Sequence, residues 1–244
     1  MKLTKILGCL LLIPSLVLGN GFGFWAAAAK KNVATSAYIF SDDFEDGTLG
    51  KWTHTVGASD TNIFVSAANP IVGSYTLYAE DPGVTTAWSP PSVGADYDTL
   101  YVGFLISNPD VAGAAAGILR IKEEAYATDL LTMTISTASK IKVGVSGGST
   151  TSDSTSAVST TAGVGTPVML AYTRGTGSNA VAKFYISTDD STWTQTRTVS
   201  NGTSTDYPRF FQVVGVASWN VGYHLDNVLI SDTELTVAEI IAGP

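Results

Sequence analysis

From residue 37 onward, the chain consists of short runs of alternating apolar and polar residues, separated by clusters of Gly, Pro, Asn, Asp and Ser. In one run Ala182, Phe184 and Ile186 alternate with more polar neighbours, which is typical of a strand with one buried and one solvated face. A dozen such runs in one domain predict an all-β protein built as a sandwich of two antiparallel sheets. The clearest runs are 37–44, 63–67, 75–79, 100–107, 116–122, 130–136, 140–145, 167–173, 181–187, 192–199, 210–216 and 223–231.

One short helix is predicted near the C-terminus. Thr236 is a suitable N-cap, and Glu239, three residues later, completes a capping box. Leu235, Ile240 and Ile241 would form the apolar side of this helix.

The Ser/Thr-rich stretch 147–165 could be a linker between two domains. We interpret it as a strand and loop of the same sheet, because threonine favours strands and alternating runs resume directly after it. The sequence therefore predicts one domain over residues 37–241.

The N-terminus has the pattern of a signal peptide. Lys2 and Lys5 precede an apolar stretch, 6–19, and the small residues 26–29 offer a cleavage site before Lys30. We predict a signal peptide over residues 1–29 and a short linker over 30–36. The alternative is an uncleaved membrane anchor, since 6–29 is 24 uncharged residues, long enough to span a bilayer. Both interpretations place the domain outside the cytoplasm, secreted or at the cell surface, and membrane contact is expected only if the leader is retained.

Charge and cysteine content narrow the function classes. The chain has 13 Lys and Arg against 21 Asp and Glu, a net charge of −8, so the basic surface that nucleic acid requires is not expected. The single cysteine, Cys9, lies in the leader, so the mature domain would be stabilised by sheet packing without disulfides.

Several segments resemble a known family. The opening segment 40–47, the internal segments 73–78 and 184–193, and the closing strand 223–231 followed by the short helix are similar to concanavalin A-like, laminin-G-like domains of exported proteins. The resemblance implies a jelly-roll β-sandwich. Because that family includes lectin-like modules, adhesive proteins, virion components and glycoside hydrolases, it does not decide the activity.

Catalytic patterns are sparse. Glu123 and Glu124 are adjacent, so in a strand they point to opposite faces and cannot serve one cleft as acid and base. Asp43 and Glu45 have suitable spacing but lie outside the family's catalytic strand. The chain has two histidines, His54 and His224, too few for a zinc site without cysteine. From these observations we predict that the protein is not an enzyme.

The resemblance also implies a structural calcium ion between the first and last strands. The matching ligands are Glu45 and Asp226, with Asp43 a lesser candidate, and calcium prefers such oxygen ligands. The alternative is an acidic solvated turn in which Asp226 only hydrogen-bonds a neighbouring loop.

Aromatic and amide side chains are the candidates for ligand contact, because sugars stack on aromatic faces and hydrogen-bond to polar groups. The candidates are Trp219, Asn220, Tyr223 and Trp88. The sequence thus predicts an exported, non-catalytic lectin-like module whose partner is a polysaccharide or glycan. The alternative is a structural or adhesive surface, filament or virion protein that self-assembles through the same sandwich.

Overall fold

The computed structural model describes residues 38–56, 63–79, 86–108, 116–123, 127–148, 150–151, 153–215 and 222–244. They lie within one unit, Ser36–Pro244. The predicted signal peptide and linker fall outside the described residues and stay predictions. No helix in the described part of the chain has the length and apolar character needed to span a membrane.

The described residues form fourteen strands and one helix. The first seven strands are β1 (Phe40–Asp42), β2 (Thr53–Val56), β3 (Ile63–Ser66), β4 (Thr76–Ala79), β5 (Thr86–Ser89), β6 (Thr99–Ser107) and β7 (Ala116–Lys122). The others are β8 (Asp129–Ile135), β9 (Ile141–Val145), β10 (Thr166–Thr173), β11 (Ala180–Ile186), β12 (Gln195–Gly202), β13 (Phe210–Gly215) and β14 (Tyr223–Ser231), and α1 is Val237–Ala242.

The strands form two antiparallel sheets. Sheet A has eight strands in the order β12-β11-β10-β6-β14-β4-β3, with β1 also pairing with β14. Sheet B has six strands in the order β2-β5-β13-β7-β8-β9. The predicted jelly-roll sandwich with a short C-terminal helix is confirmed, and Thr236 and Glu239 form the predicted capping box.

The core lies between the sheets, because the side chains that each sheet turns toward the other are mostly apolar. It includes Phe104 of sheet A and Phe211 of sheet B, whose rings stack 6.1 Å apart. A smaller apolar cluster covers the other face of sheet A, where Leu235 and Ile240 pack on Leu105, Met169 and Leu229. The helix and Leu235, which precedes it, therefore cover part of the outer face of sheet A.

Two features differ from the sequence prediction. The short strands β2 and β5 were not predicted, since four residues are too few for a clear alternation. The stretch 147–165 contributes isolated bridges and no strand among its described residues. Instead, the N–H groups of Thr151 and Ser154 donate to carbonyls of β9, so the stretch covers the edge of sheet B.

Candidate functional site

A row of polar side chains crosses the outer face of sheet B, the face turned away from sheet A. Gln212 of β13 lies opposite Arg120 of β7, Arg120 lies opposite Thr132 of β8, and Thr132 lies opposite Gly144 of β9. The neighbours of these residues along each strand belong to the core, so alternation places the row on the outer face. We call these four residues, together with Lys122 and Asp129, the polar row.

The polar row contains two cations that share one carboxylate. The Lys122 ammonium forms an ion pair with Asp129, and the Arg120 Nη1 lies 3.4 Å from the other oxygen of the same carboxylate. The Lys122 side chain is only 7% exposed, and that of Arg120 is 29% exposed. The row therefore carries one excess positive charge in a largely buried position, although the whole chain is acidic.

Burial makes this excess charge informative. A buried cation is unfavourable unless a counter-ion and hydrogen bonds compensate it. The Arg120 Nε is buried, and no described residue accepts its hydrogen bond. Gln212, directly beside it, is 1% exposed. The guanidinium therefore combines a buried donor that no described residue satisfies with a side chain that is 29% exposed.

A second group of acids lies where the ends of the domain meet. β14 pairs with β4 over Tyr223–Leu225 and with β1 from Val228 onward, so Asp226 occupies the junction between them. Its carboxylate is fully buried and accepts hydrogen bonds from the N–H groups of Val72, at 3.0 Å, and Asn227, at 2.8 Å.

Glu45 lies beside the same loop. Its carboxylate accepts hydrogen bonds from the N–H groups of Ser74 and Tyr75 at 2.9–3.1 Å. Gly73, with φ +65°, lies against this carboxylate, and a Cβ there would come within 2.4 Å of it. The loop between β3 and β4 therefore binds both acids: its Val72 N–H donates to Asp226, and its Ser74 and Tyr75 N–H groups donate to Glu45.

Electrostatics separate Asp226 from an ordinary hydrogen-bonded carboxylate. Burial raises its pKa to about 7, Glu45 and Asp43 add to the shift, and the two amide donors oppose it. Among the described residues, no lysine or arginine forms an ion pair with Asp226. The position therefore favours a bound cation or a proton.

The fit to calcium rests on donor chemistry. Glu45, Asp226 and Asp43 are near enough for the two other acids to act on the pKa of Asp226, and calcium binds carboxylate and carbonyl oxygens. In the described part of the chain, no three His, Cys, Asp or Glu side chains form a ready metal-holding group. Backbone carbonyls would therefore have to complete the coordination.

The structure separates the four predicted ligand residues. Tyr223 is 1% exposed, and its hydroxyl donates to the carbonyls of Val214 and Ile118 inside the protein. It is a core residue, so its prediction as a ligand contact is corrected. Trp88 is half-buried and packs against the main core. Trp219 and Asn220 lie outside the described residues.

The polar row was missed from the sequence, although a signal was present. Arg120 and Lys122 stand at alternate positions of an otherwise apolar run, 118–122, so they had to share one face. Gln212 likewise interrupts the apolar run of β13. That these residues and Asp129 are neighbours depends on strand order, which the sequence pattern does not contain.

Comparison of the structure with solved structures finds the same fold, whereas comparison of the sequence with known families and proteins finds no match. No protein-family model and no curated protein matches the chain. An endo-beta-1,4-glucuronan lyase from the fungus Trichoderma reesei is similar with a TM-score of 0.55 at 15% identity, covering 82% of this chain and 98% of that one. A cellulose-induced protein, Cip1, is similar with a TM-score of 0.54 at 14% identity, covering 81% and 99%. The binding domain of botulinum neurotoxin serotype D gives 0.52 at 13%, covering 83% of this chain and 50% of that one.

At these identities the likeness shows the shared fold. It agrees with the jelly-roll β-sandwich, whereas membership of the concanavalin A-like, laminin-G-like group stays a prediction.

The prediction that the protein is not an enzyme is wrong as an inference from this fold. The glucuronan lyase is an enzyme that shares the fold over nearly its whole length. Paired carboxylates are the pattern of glycoside hydrolysis, and a lyase belongs to another class of enzyme, so the lack of a clear pair in the sequence does not exclude catalysis. Catalysis therefore has to be measured together with binding.

Proposed function

We propose that this protein binds an acidic polysaccharide across the outer face of sheet B. The observation that carries the proposal is the polar row, in which the largely buried Lys122 and Arg120 share the single carboxylate of Asp129. A carboxylate of the polysaccharide would supply the missing negative charge. It would pair with the exposed part of the Arg120 side chain, which is 29% exposed, since the Nε itself is buried.

The shape of the row suits an extended chain of sugars. Gln212, Arg120, Thr132 and Gly144 lie on four neighbouring strands, which spans about 14 Å at the usual strand spacing. The hydroxyl of Thr132, which is only partly buried, can hydrogen-bond sugar hydroxyls beside the guanidinium, whereas Gln212 is buried and supports the row from within.

One comparison supports an acidic polysaccharide as the partner. The lyase is named for glucuronan, whereas Cip1 is named for its induction by cellulose, a neutral polymer. A polymer of glucuronate carries one carboxylate per sugar, so it is the natural first ligand to test against the excess charge of the polar row.

The experiment measures the affinity of the full chain for polyglucuronate by titration calorimetry. Arg120→Gln should weaken binding about tenfold or more, because a charge-assisted hydrogen bond is lost. Arg120→Lys keeps the charge but not the planar donor, so its affinity should lie between those of the unmodified protein and of Arg120→Gln. Arg197→Gln, the same change on β12 of sheet A, is the matched control and should bind like the unmodified protein.

Two additional readouts complete the test. Ultraviolet absorbance of unsaturated sugar ends would reveal cleavage by elimination in the same samples. Light scattering tests the structural alternative, since large assemblies without polysaccharide binding would favour a self-assembling protein. Equal affinity of the Arg120 variants and the unmodified protein for polyglucuronate, or no binding at all, would refute the proposal.

We also infer that a structural calcium ion joins the two ends of the domain through Glu45 and Asp226, with Asp43 nearby. The support is the buried carboxylate of Asp226, which forms no ion pair with a described lysine or arginine and whose raised pKa reflects burial and the two neighbouring acids. The ion would neutralise this charge and hold β1 beside β14. Export to the cell surface or medium stays part of the proposal, on the leader pattern alone.

A further inference from the structure

Three aromatic rings form a second row on the opposite side of the molecule, at one edge of sheet A. Phe64 of β3 lies opposite Tyr78 of β4, and Tyr78 lies opposite His224 of β14. The ring centroids are 5.4 Å apart in the first pair and 4.7 Å apart in the second. Ile63 and Leu225, next to this row in sequence, belong to the core, so the rings are on the outer face of sheet A.

The rings line an open cleft of about 400 Å³. The other lining residues are Ser66, Ala68, Asn69 and Ala162. No lysine, arginine, aspartate or glutamate is among the described lining residues. The cleft therefore suits an uncharged ligand, in contrast to the polar row of sheet B.

Polar groups surround the rings on both sides. Asn69 is exposed and has a φ of 55°, in the left-handed region, and Ser66 accepts the N–H of Ala68 at 3.0 Å. At the other end, Ser107 lies opposite His224, and its buried hydroxyl has no hydrogen-bond partner among the described residues. Asparagine tolerates this backbone conformation, and Asn69 is one of the residues that line the cleft beside the rings.

We propose that this cleft binds one uncharged pyranose ring of a glycan, as a site separate from the polar row. A pyranose has an apolar C–H face, which matches the rings of Phe64 and Tyr78, and hydroxyls at its edge, which match Ser66 and Asn69. A purely apolar ligand would leave the amide of Asn69 without a use. An acidic sugar would find no lysine or arginine among the described residues that line the cleft.

The test is a titration of the full chain with neutral oligosaccharides of glucose, xylose and mannose, followed by calorimetry and ligand-observed NMR. Tyr78→Ala should lower the affinity by about threefold to tenfold, because the stacking surface is lost. Asn69→Gly, which the positive φ tolerates, should weaken binding by a smaller factor without affecting folding. Tyr185→Ala, another half-buried tyrosine on the outer face of sheet A, is the matched control and should leave the affinity unchanged.

The two glycan sites can fail independently. Neutral sugars that bind and depend on Tyr78 and Asn69 support the cleft, whatever polyglucuronate does. The proposal is overturned if no neutral sugar binds, if small aromatic compounds bind in their place, or if the Asn69→Gly and Tyr78→Ala proteins bind sugars as well as the unmodified protein. Because Asn69→Gly does not alter a packed ring, it keeps the test valid if Tyr78→Ala fails to fold.

Discussion

Asp42 and Asp226 are both buried carboxylates on the neighbouring strands β1 and β14, but they are compensated in different ways. Asp42 accepts hydrogen bonds from the Trp52 indole at 2.7 Å and from the Lys51 ammonium at 3.0 Å. It also accepts the N–H of Phe44 at 3.1 Å. Asp226 accepts two backbone N–H groups and has two further acids nearby.

The difference separates a structural acid from a candidate ligand-binding acid. The charge of Asp42 is compensated by its own chain, which also fixes Trp52 against the core and holds Phe44 at a φ of 58°. The charge of Asp226 is opposed by burial and by Glu45 and Asp43. The same residue type, at nearly the same depth, therefore stabilises the fold as an anion in one place and is destabilised as an anion in the other, where a cation or a proton would compensate it.

The largest expected effect is the loss of Asp42. Asp42→Ala leaves the buried indole N–H of Trp52 and the N–H of Phe44 without their acceptor, and should lower the free energy of unfolding by about 3–4 kcal/mol. Denaturant unfolding measures this change. Asp46→Ala is the matched control, because Asp46 is exposed and bonds only its own turn, so its effect should be far smaller. Equal effects of the two substitutions would contradict the structural role of Asp42.

The second effect is that of calcium removal. Calcium at about 100 times its dissociation constant should stabilise the fold by about 3 kcal/mol, so chelation should lower the melting temperature by several degrees. Glu45→Gln and Asp226→Asn should each remove this sensitivity, since each replaces a charged ligand with a neutral one.

The acidic-turn alternative makes the opposite prediction for the calcium experiment. It expects the same melting temperature with calcium and with chelator, and no calcium in the purified protein by elemental analysis. That pair of results would eliminate the site. An unchanged response in Asp42→Asn is the control, because Asp42 is already compensated by Lys51 and Trp52.

In the third prediction, substitutions of Asp226 and Asp42 change the free energy of unfolding in opposite directions. In chelator at pH 8, Asp226→Asn should raise the free energy of unfolding by about 1 kcal/mol, because it removes a buried charge that two amide N–H groups compensate only in part. Asp42→Asn should lower it under the same conditions. Thermal unfolding of both variants measures the two signs. A decrease in both would show that Asp226 is already compensated without calcium.

The sequence could predict the strands and the two acidic ends, because alternation and turn residues are local properties. It could not predict that Asp42 and Asp226 differ, since that depends on Trp52, ten residues from Asp42, and on Val72, 154 residues from Asp226. The polar row could not be predicted from the sequence for the same reason. Arg120 and Lys122 are visible as a local pattern, whereas their shared partner Asp129 depends on a shift in the pairing of β7 with β8.

The smallest predicted effect concerns Asp189, an exposed carboxylate with amide donors similar to those of Asp226. It accepts the N–H of Thr192 at 2.9 Å and that of Ser191 at 3.0 Å, and these bonds hold its pKa well below its usual range. Because the pKa is depressed in the folded state, the ionised carboxylate stabilises the fold above its unfolded pKa of about 3.9, and the contribution is lost as the pH falls further. Asp189→Asn should therefore lower the melting temperature by about 1–2 °C at pH 7, and the difference from the unmodified protein should narrow below about pH 4. Asp190→Asn, the same change at the neighbouring exposed acid, is the matched control, because the N–H groups of Ser191 and Thr192 bond to Asp189. If the difference in melting temperature between Asp189→Asn and the unmodified protein stays constant from pH 7 to about pH 3, the two amide bonds do not favour the charged carboxylate. Burial alone would then not explain why the pKa values of Asp189 and Asp226 differ.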